Sequence, residues 1–478
     1  MKNSEIPKSI REPQFAGQFY PGGKAGLSNQ LSAFFEQSEK FTQHIPYHRS
    51  LQALIVPHAG YVFSGQVAAS GFQQIPQNTK YKRVFVLASS HRHSFDGAAL
   101  FCSGNYATPL GEIEVDADLS NQLLQSSDLF IDSPKAHENE HSIEVQLPFL
   151  QHRLGSNFLL VPILLGTHKA GTCKKIADVL KKWFTPENLW VISTDFSHYP
   201  GYEHARMVDE FTASAICENN PAKLLDVLNE NKNLKIENLA TSLCGWTSVI
   251  TLQYMTENKD FVYEKINYQN SGDAKLNDGK DRVVGYWSIA VYAKSNELRI
   301  SEQEKNELLE KARASISHFV KKGRVAKIIA PVRNGILNEA MGAFVSIYVG
   351  GKLRGCIGGF ARKKTLNVLV QEMAVSASHD RRFDPIKPDE LDQMEIEISV
   401  LSPLKKADSV DEIELGKHGI YIKQGNNSGT FLPQVAAKTG WSIEDFLGHC
   451  SRDKAGLGWE GWKTAEVFVY EAIVFRST

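Results

Sequence analysis

The run Leu51-Gln52-Ala53-Leu54-Ile55-Val56 ends in Pro57-His58-Ala59-Gly60. A short, β-branched and apolar run closed by proline and glycine is too brief for a buried helix and fits a strand covered on both faces. Two further runs end the same way. Val84–Ala88 leads into Ser89-Ser90-His91, and Leu189–Ser193 leads into Thr194-Asp195-Phe196-Ser197-His198. Phe158–Leu165 and Val283–Tyr292 add two more strands, while Leu119–Leu124, Cys173–Trp183 and His204–Cys217 carry helical spacing between them. Strands alternating with helices predict an α/β domain, its sheet largely parallel or mixed and flanked by helices. In such sheets ligands bind beyond the carboxyl ends of the strands, so His58, His91, Asp195 and His198 share a site if their strands are neighbours.

A chain of 478 residues exceeds one ordinary domain. The polar stretch Lys294-Ser295-Asn296-Glu297-Leu298-Arg299-Ile300 reads as a seam, followed by Ser301-Glu302-Gln303-Glu304, a capping box, and by Leu308, Leu309, Ala312, Ile316 and Phe319 at helical spacing. Beyond it, two helices mix with the strands Ala343–Val349, Glu395–Val400 and Ala465–Tyr470, an α+β pattern. The expected domains are 8–295 and 300–478. Lys+Arg 53 against Asp+Glu 54 leaves no global field, so bulk nucleic-acid binding is not expected. The amino-terminal residues lack an apolar leader and no later run suits a membrane span, which places the chain in the cytoplasm as an expectation. The six cysteines are scattered, without a C-x-x-C pair, and read as free thiols. Neither a Walker loop nor G-x-G-x-x-G is present.

Eleven of fifteen histidines precede residue 300, which concentrates the chemistry in the first domain. Two imidazoles completed by a carboxylate or thiolate suit a transition metal, and Asp195 and Cys244 are both candidates for the third ligand. The segment Ser242-Leu243-Cys244-Gly245-Trp246 sets the thiol before a glycine that permits close backbone approach, although a buried inert cysteine fits equally. His137-Glu138-Asn139-Glu140-His141 formally matches H-E-x-x-H. The polar, proline-containing segment before it argues against a zinc-peptidase helix. The helix should instead start near His141-Ser142 and continue through Ile143–Leu150, which puts Glu140, His141 and Glu144 near its first turn. His93 and His137 read as surface residues.

These segments also carry a resemblance. Arg11-Glu12-Pro13 with Ala16-Gly17-Gln18-Phe19-Tyr20-Pro21, Pro57-His58-Ala59-Gly60-Tyr61, Ser89-Ser90-His91, Glu140-His141-Ser142-Ile143-Glu144, Val161-Pro162-Ile163-Leu164, Ser193–His198 and Cys244-Gly245 follow in the order of the Memo family, over roughly residues 8 to 293. The resemblance implies a fold like that of class III extradiol dioxygenases. It also implies one transition metal ion on His58, His91 and Cys244, with Asp195, His198 and His141 as catalytic neighbours. A thiolate in place of the dioxygenases' carboxylate favours iron or copper, with zinc as a further option, and makes oxygen-linked or redox chemistry on a small molecule more natural than ring cleavage.

Leu353-Arg354-Gly355-Cys356-Ile357-Gly358, His379-Asp380-Arg381-Arg382-Phe383-Asp384-Pro385 and Gly429-Thr430-Phe431-Leu432-Pro433-Gln434-Val435 resemble the AMMECR-type domain over roughly 300 to 475. The fusion resembles the joined A and B components of the AmmeMemoRadiSam system, which implies a radical SAM protein as partner. The chain itself has no C-x-x-x-C-x-x-C cluster motif. In this half, His379, Arg381 and Arg382 could form an anion-binding edge, or the arginines could be spent on Asp380 and Asp384. Two other readings stay open for the first domain: a non-catalytic peptide- or metabolite-binding module on the same fold, and zinc-assisted hydrolysis.

Overall fold

The computed structural model describes residues 9–42, 49–76, 79–102, 104–257, 260–274, 279–294, 298, 300–329, 336–360 and 364–477. The chain divides into two compact units, one of residues 1–43 and 49–294, the other of residues 44–48 and 295–478. Most of the seam, 295–297 and 299, lies outside the described residues.

The first unit is built on a mixed eight-stranded sheet. Its strands are β1 (Arg49–Val56), β2 (Arg83–Ser89), β3 (Ala98–Leu100), β4 (Phe130–Asp132), β5 (Leu159–Leu165), β6 (Asn188–Ser193), β7 (Phe261–Asn270) and β8 (Gly285–Lys294), in the order β7-β8-β1-β6-β2-β5-β3-β4. The central four, β1-β6-β2-β5, run parallel, and antiparallel partners β8 and β3 flank them. All six residues of β6 are buried, as a strand covered on both faces requires. Trp190 of β6 stacks on Phe85 of β2 with ring centroids 4.1 Å apart, in the core between sheet and helices.

The helices that frame the site are α1 (Tyr61–Phe72), α2 (His141–Glu144), α3 (Leu147–Leu154), α4 (Ala170–Leu180), α5 (Tyr202–Cys217), α6 (Pro221–Asn233) and α7 (Trp246–Thr256). The single helix anticipated from His141 to Leu150 is two pieces. The chain turns at Val145-Gln146, and Pro148, which has no N–H to donate, sits in the first turn of α3, where that N–H is not needed.

In the second unit, Ser301 caps α8 (Glu302–Lys322) with the anticipated capping box, and Gly323 closes the helix in the left-handed region at φ 64°. Strands β9 (Gly342–Val349), β10 (Lys352–Gly359), β11 (Met394–Leu401), β12 (His418–Gln424), β13 (Asn427–Phe431) and β14 (Glu466–Arg476) form an antiparallel sheet in the order β10-β9-β11-β14-β12-β13. Helix α9 (Leu366–Ser378) packs so closely on β10 that a Cβ on Gly355 would fall 1.9 Å from the Ala377 carbonyl oxygen. The glycines of the Arg354–Gly358 motif therefore serve close packing. The charges there are also spent. Arg354 pairs with Glu390 and donates to the Asp384 carbonyl, while Arg382 donates to both oxygens of Asp380, whose Oδ2 also accepts from the Cys356 amide at 3.0 Å. Arg381 and His379 are exposed, and the His379 ring lies on Phe319.

Candidate metal centre

Because β1, β6 and β2 are adjacent and parallel, their carboxyl ends deliver His58, Asp195 and His91 to one edge of the sheet. Helix α2 brings His141 across from them. The ligand nitrogens of His58, His91 and His141 lie within 4.8 Å of one another, and this trio can hold a metal ion. Its rings stand 4.8 to 5.1 Å apart between centroids.

Hydrogen bonds set the tautomers of two of these rings. The Ser193 hydroxyl donates to the Ser142 carbonyl at 2.6 Å and accepts from the Gln146 side-chain amide at 2.8 Å. That amide must present its nitrogen, because the same NH2 also donates to the Pro57 carbonyl. The hydroxyl has one lone pair left for His58 Nδ1, 3.0 Å away, so His58 donates through Nδ1–H and its Nε2 lone pair faces the site. His91 donates through Nδ1–H to Glu140 Oε1 at 3.0 Å, which frees its Nε2 as well. A ring N–H tied to a serine or carboxylate behind the site is the arrangement that orients metal-binding imidazoles.

Glu140 is buried and accepts also from the backbone amides of His91 at 2.7 Å and Ser142 at 3.1 Å. Burial disfavours its charge, but these bonds outweigh burial and hold its pKa down at about 2. Burial likewise opposes a proton on His91, and the Glu140 carboxylate reverses the balance, raising its pKa. Burial and the neighbouring His91 depress His141 to about 4, and burial with the surrounding imidazoles lowers His58 well below its usual value.

Cys244 occupies the other side of His58. Its Sγ lies 3.3 Å from His58 Nε2 and accepts from the Asp195 amide at 3.1 Å, while the Cys244 amide donates to the Asp195 carbonyl. The glycine after it is required by packing, since a Cβ on Gly245 would stand 2.6 Å from Thr194 Cβ and 2.8 Å from the Ser193 carbonyl oxygen. Burial and the Asp195 carboxyl push the thiol pKa up, so without a cation nearby the sulfur keeps its proton. Cys244 touches His58 but does not belong to the trio of mutually close ligand atoms. All six cysteines are unpaired.

Asp195 accepts from the His58 amide at 2.8 Å, and its other oxygen is 3.9 Å from His58 Nε2. Burial raises its pKa to about 7. Burial and His91 lower His198 to about 4, and its Nε2 is buried without a hydrogen-bond partner. His198 is fixed through its backbone, its amide donating to the Thr241 carbonyl at 2.9 Å.

The amino-terminal motif acts from behind. Arg11 donates to Glu144 Oε2 at 2.7 Å and to the carbonyls of His137 and Glu140, each at 2.9 Å. Glu144 further accepts from the Tyr20 hydroxyl and the amides of Gln14 and Phe15. This buried knot anchors α2, and with it His141, whose ring lies 4.9 Å from that of Phe19. His137 departs from its surface assignment: it is buried, with Nδ1 2.7 Å from the Tyr106 hydroxyl and Nε2 3.2 Å from the Ala99 carbonyl. Its polar sequence neighbours masked that burial. Asn139 at φ 54° breaks the chain between His137 and His141, so the H-E-x-x-H residues do not share a helix and the zinc-peptidase arrangement is absent from them. His93 is exposed, as anticipated. The roles of Ser193 and Gln146 escaped sequence reasoning, because nothing local distinguishes a serine or glutamine that will meet an imidazole.

A family model described as Memo-like protein matches residues 11–290, and one described as AMMECR1 matches residues 309–475. A MEMO1 family protein of Thermoplasma volcanium is 32% identical over 281 residues, covering 59% of this chain and 97% of its own length. The memo-1 homolog of Caenorhabditis elegans is 28% identical over 309 residues, covering 60% of this chain and 83% of its own. Among solved structures, an uncharacterized protein of Pyrococcus horikoshii is 30% identical, covers 37% of this chain and 93% of its own, and superposes with a TM-score of 0.35.

Proposed function

The chain belongs to the Memo-like protein family, and from that premise we propose that its first unit holds one transition metal ion and carries out oxygen-linked or redox chemistry on a small molecule. The observation that carries this reading is the tautomer of His58 and His91: Ser193 and Glu140 take their Nδ1 protons, so two lone pairs face one site. These residues fit a metal. His58 and His91 would be two ligands, and the third would be Cys244, as the family resemblance implies, or His141, which completes the trio of close nitrogens. A thiolate at Cys244 would be supported by the amide of Asp195, and coordination supplies the charge that its surroundings otherwise refuse. A redox-capable ion such as iron or copper supplies electron exchange and Lewis acidity there.

The protein's own groups supply the proton chemistry. His198, neutral at physiological pH because burial and His91 oppose its charge, keeps a buried nitrogen without a partner that could hydrogen-bond a substrate. Asp195, with a pKa near 7, can hold or release a proton. Phe15 and Phe19 beside His141 give the site an apolar wall, which suits an organic substrate and limits water. A radical SAM protein acting in concert is proposed from the resemblance of the fused units to the AmmeMemoRadiSam system. A second reading, zinc-assisted hydrolysis, draws on the three-histidine set, which suits zinc with an open fourth position.

Elemental analysis of the anaerobically purified full chain, with His91→Ala, His141→Ala and Cys244→Ala beside it, tests the reading. Near-stoichiometric iron or copper, lost in His91→Ala, is the expected result, and whichever of the other two variants also loses it identifies the third ligand. Zinc alone would favour hydrolysis. An absence of metal after reconstitution with Fe(II), Cu(I) and Zn(II) would refute both.

A further inference from the structure

A cavity of about 470 Å³ in the first unit is lined by none of the imidazoles. It is bordered by α6 from Leu225 onward, the connection from Lys235 to Leu243 and the first residue of α7. Leu225, Leu228, Ile236 and Trp246 line it and stay only partly buried, Leu228 and Trp246 also packing against the core, so a single concavity collects the apolar surface that the core leaves open. Single exposed apolar residues need no explanation, whereas several converging on a hollow of this size are the usual lining of a small-molecule site.

The polar part of the lining has one sign. Lys232 and Lys235 both border the cavity, and no aspartate or glutamate does. The hydroxyl residues Thr241 and Ser242 also line it, on a segment tied to His198 because the His198 amide donates to the Thr241 carbonyl and the Ala240 amide donates to the His198 carbonyl at 3.0 Å. The rim is shaped by unusual backbone. Lys235 and Asn238 both sit in the left-handed region, at φ 50° and 60°, a conformation that costs a non-glycine residue energy.

We propose that this cavity binds a soluble amphipathic anion, its apolar body against Leu225, Leu228, Ile236 and Trp246 and its carboxylate or sulfonate between Lys232 and Lys235. The apolar lining selects the body and the unopposed lysines select the charge. A concave pocket bordered by two cations suits a single dissolved molecule better than the flat face of a membrane. Its occupancy does not depend on a metal at the imidazole site.

The probe is 8-anilinonaphthalene-1-sulfonate, titrated by fluorescence against the full chain, with decanoate and decyltrimethylammonium as competitors below their micellar concentrations. Saturable binding of one probe per chain, displaced by decanoate and not by the cation, is expected. Lys232→Glu with Lys235→Glu should weaken it roughly tenfold, the sum of two modest ion pairs. Leu228→Asp should abolish it, and because Lys232 and Lys235 are exposed, their double variant keeps the test valid even where Leu228→Asp disturbs the fold. Equal competition by the cation, or probe binding that survives the lysine variant unchanged, would overturn the assignment. So would absence of saturable binding, or sedimentation with phosphatidylglycerol vesicles that decanoate does not reverse.

Discussion

Replacing Glu140 by Gln removes one charge and almost no volume, and it isolates what that carboxylate does. Glu140 Oε1 accepts from His91 Nδ1–H and the Ser142 amide, and Oε2 accepts from the His91 amide. Glutamine can keep a carbonyl at the first position only by turning its NH2 towards the His91 amide, which loses one charge-assisted bond and sets donor against donor. A bond to a charged group contributes about 1.5–3 kcal/mol, so the metal-free variant should be about 2–3 kcal/mol less stable in chemical denaturation. Metal affinity should fall about 10–100-fold, as loosening the partner of a ligating imidazole does, measured by competition with a chelator of known strength.

The sign of the pH dependence follows from the two shifts. Glu140 is depressed, so its contribution is complete above the ordinary carboxylate pKa and disappears as pH falls towards about 2. His91 is raised, so its contribution is complete below roughly 6.5, its ordinary value, and disappears as pH rises through the folded value. The stability gap between wild type and Glu140→Gln should therefore be widest between roughly pH 4 and 6.5. A variant within about 0.5 kcal/mol of wild type at every pH, with chelator competition unchanged, would refute the claim that Glu140 orients His91.

Arg11→Met leaves the buried Glu144 without its cation and should cost about 3–5 kcal/mol, read as a lowered midpoint in denaturant; an unchanged midpoint would mean that Tyr20 and the Gln14 and Phe15 amides hold that carboxylate unaided. Gly245→Ala drives a methyl into Thr194 and should cost about 1–3 kcal/mol while altering the reaction of Cys244 with a thiol reagent; unaltered reactivity and stability would show that the segment yields freely. Asp209 is buried behind the site, accepts from the Ser197 amide and the Tyr268 hydroxyl at 2.8 Å each, and is raised by burial to about 7. The folded chain then keeps a proton that the unfolded chain releases between roughly pH 4 and 7, so stability falls as pH rises across that window. In Asp209→Asn the Tyr268 hydroxyl can turn to accept the amide, and the metal-free variant should show a flatter stability curve there; curves parallel to wild type would contradict the shift.

Local patterning carried much of this protein. Apolar runs that end in proline, glycine and histidine mark buried parallel strands whatever surrounds them, because only a sheet covered on both faces tolerates such runs, and the Ser301 box starts its helix through bonds to the next three residues alone. His58, His91, Asp195, His198 and Cys244 were legible as candidates for the same reason, since each follows a strand or precedes a glycine. Their partners were not. Glu140 on His91, Ser193 on His58 and Arg11 on Glu144 are separated by 49, 135 and 133 residues, and no local periodicity encodes such a meeting. His137 shows the limit most plainly: polar neighbours in the chain pointed to solvent, while Tyr106 and the Ala99 carbonyl, brought by other strands, satisfy both ring nitrogens inside the core. Strand and helix identity follow from short-range sterics and patterning. Tautomer, burial and charge depend on which atoms pack within about 3 Å, and that is settled when the strands take their order in the sheet.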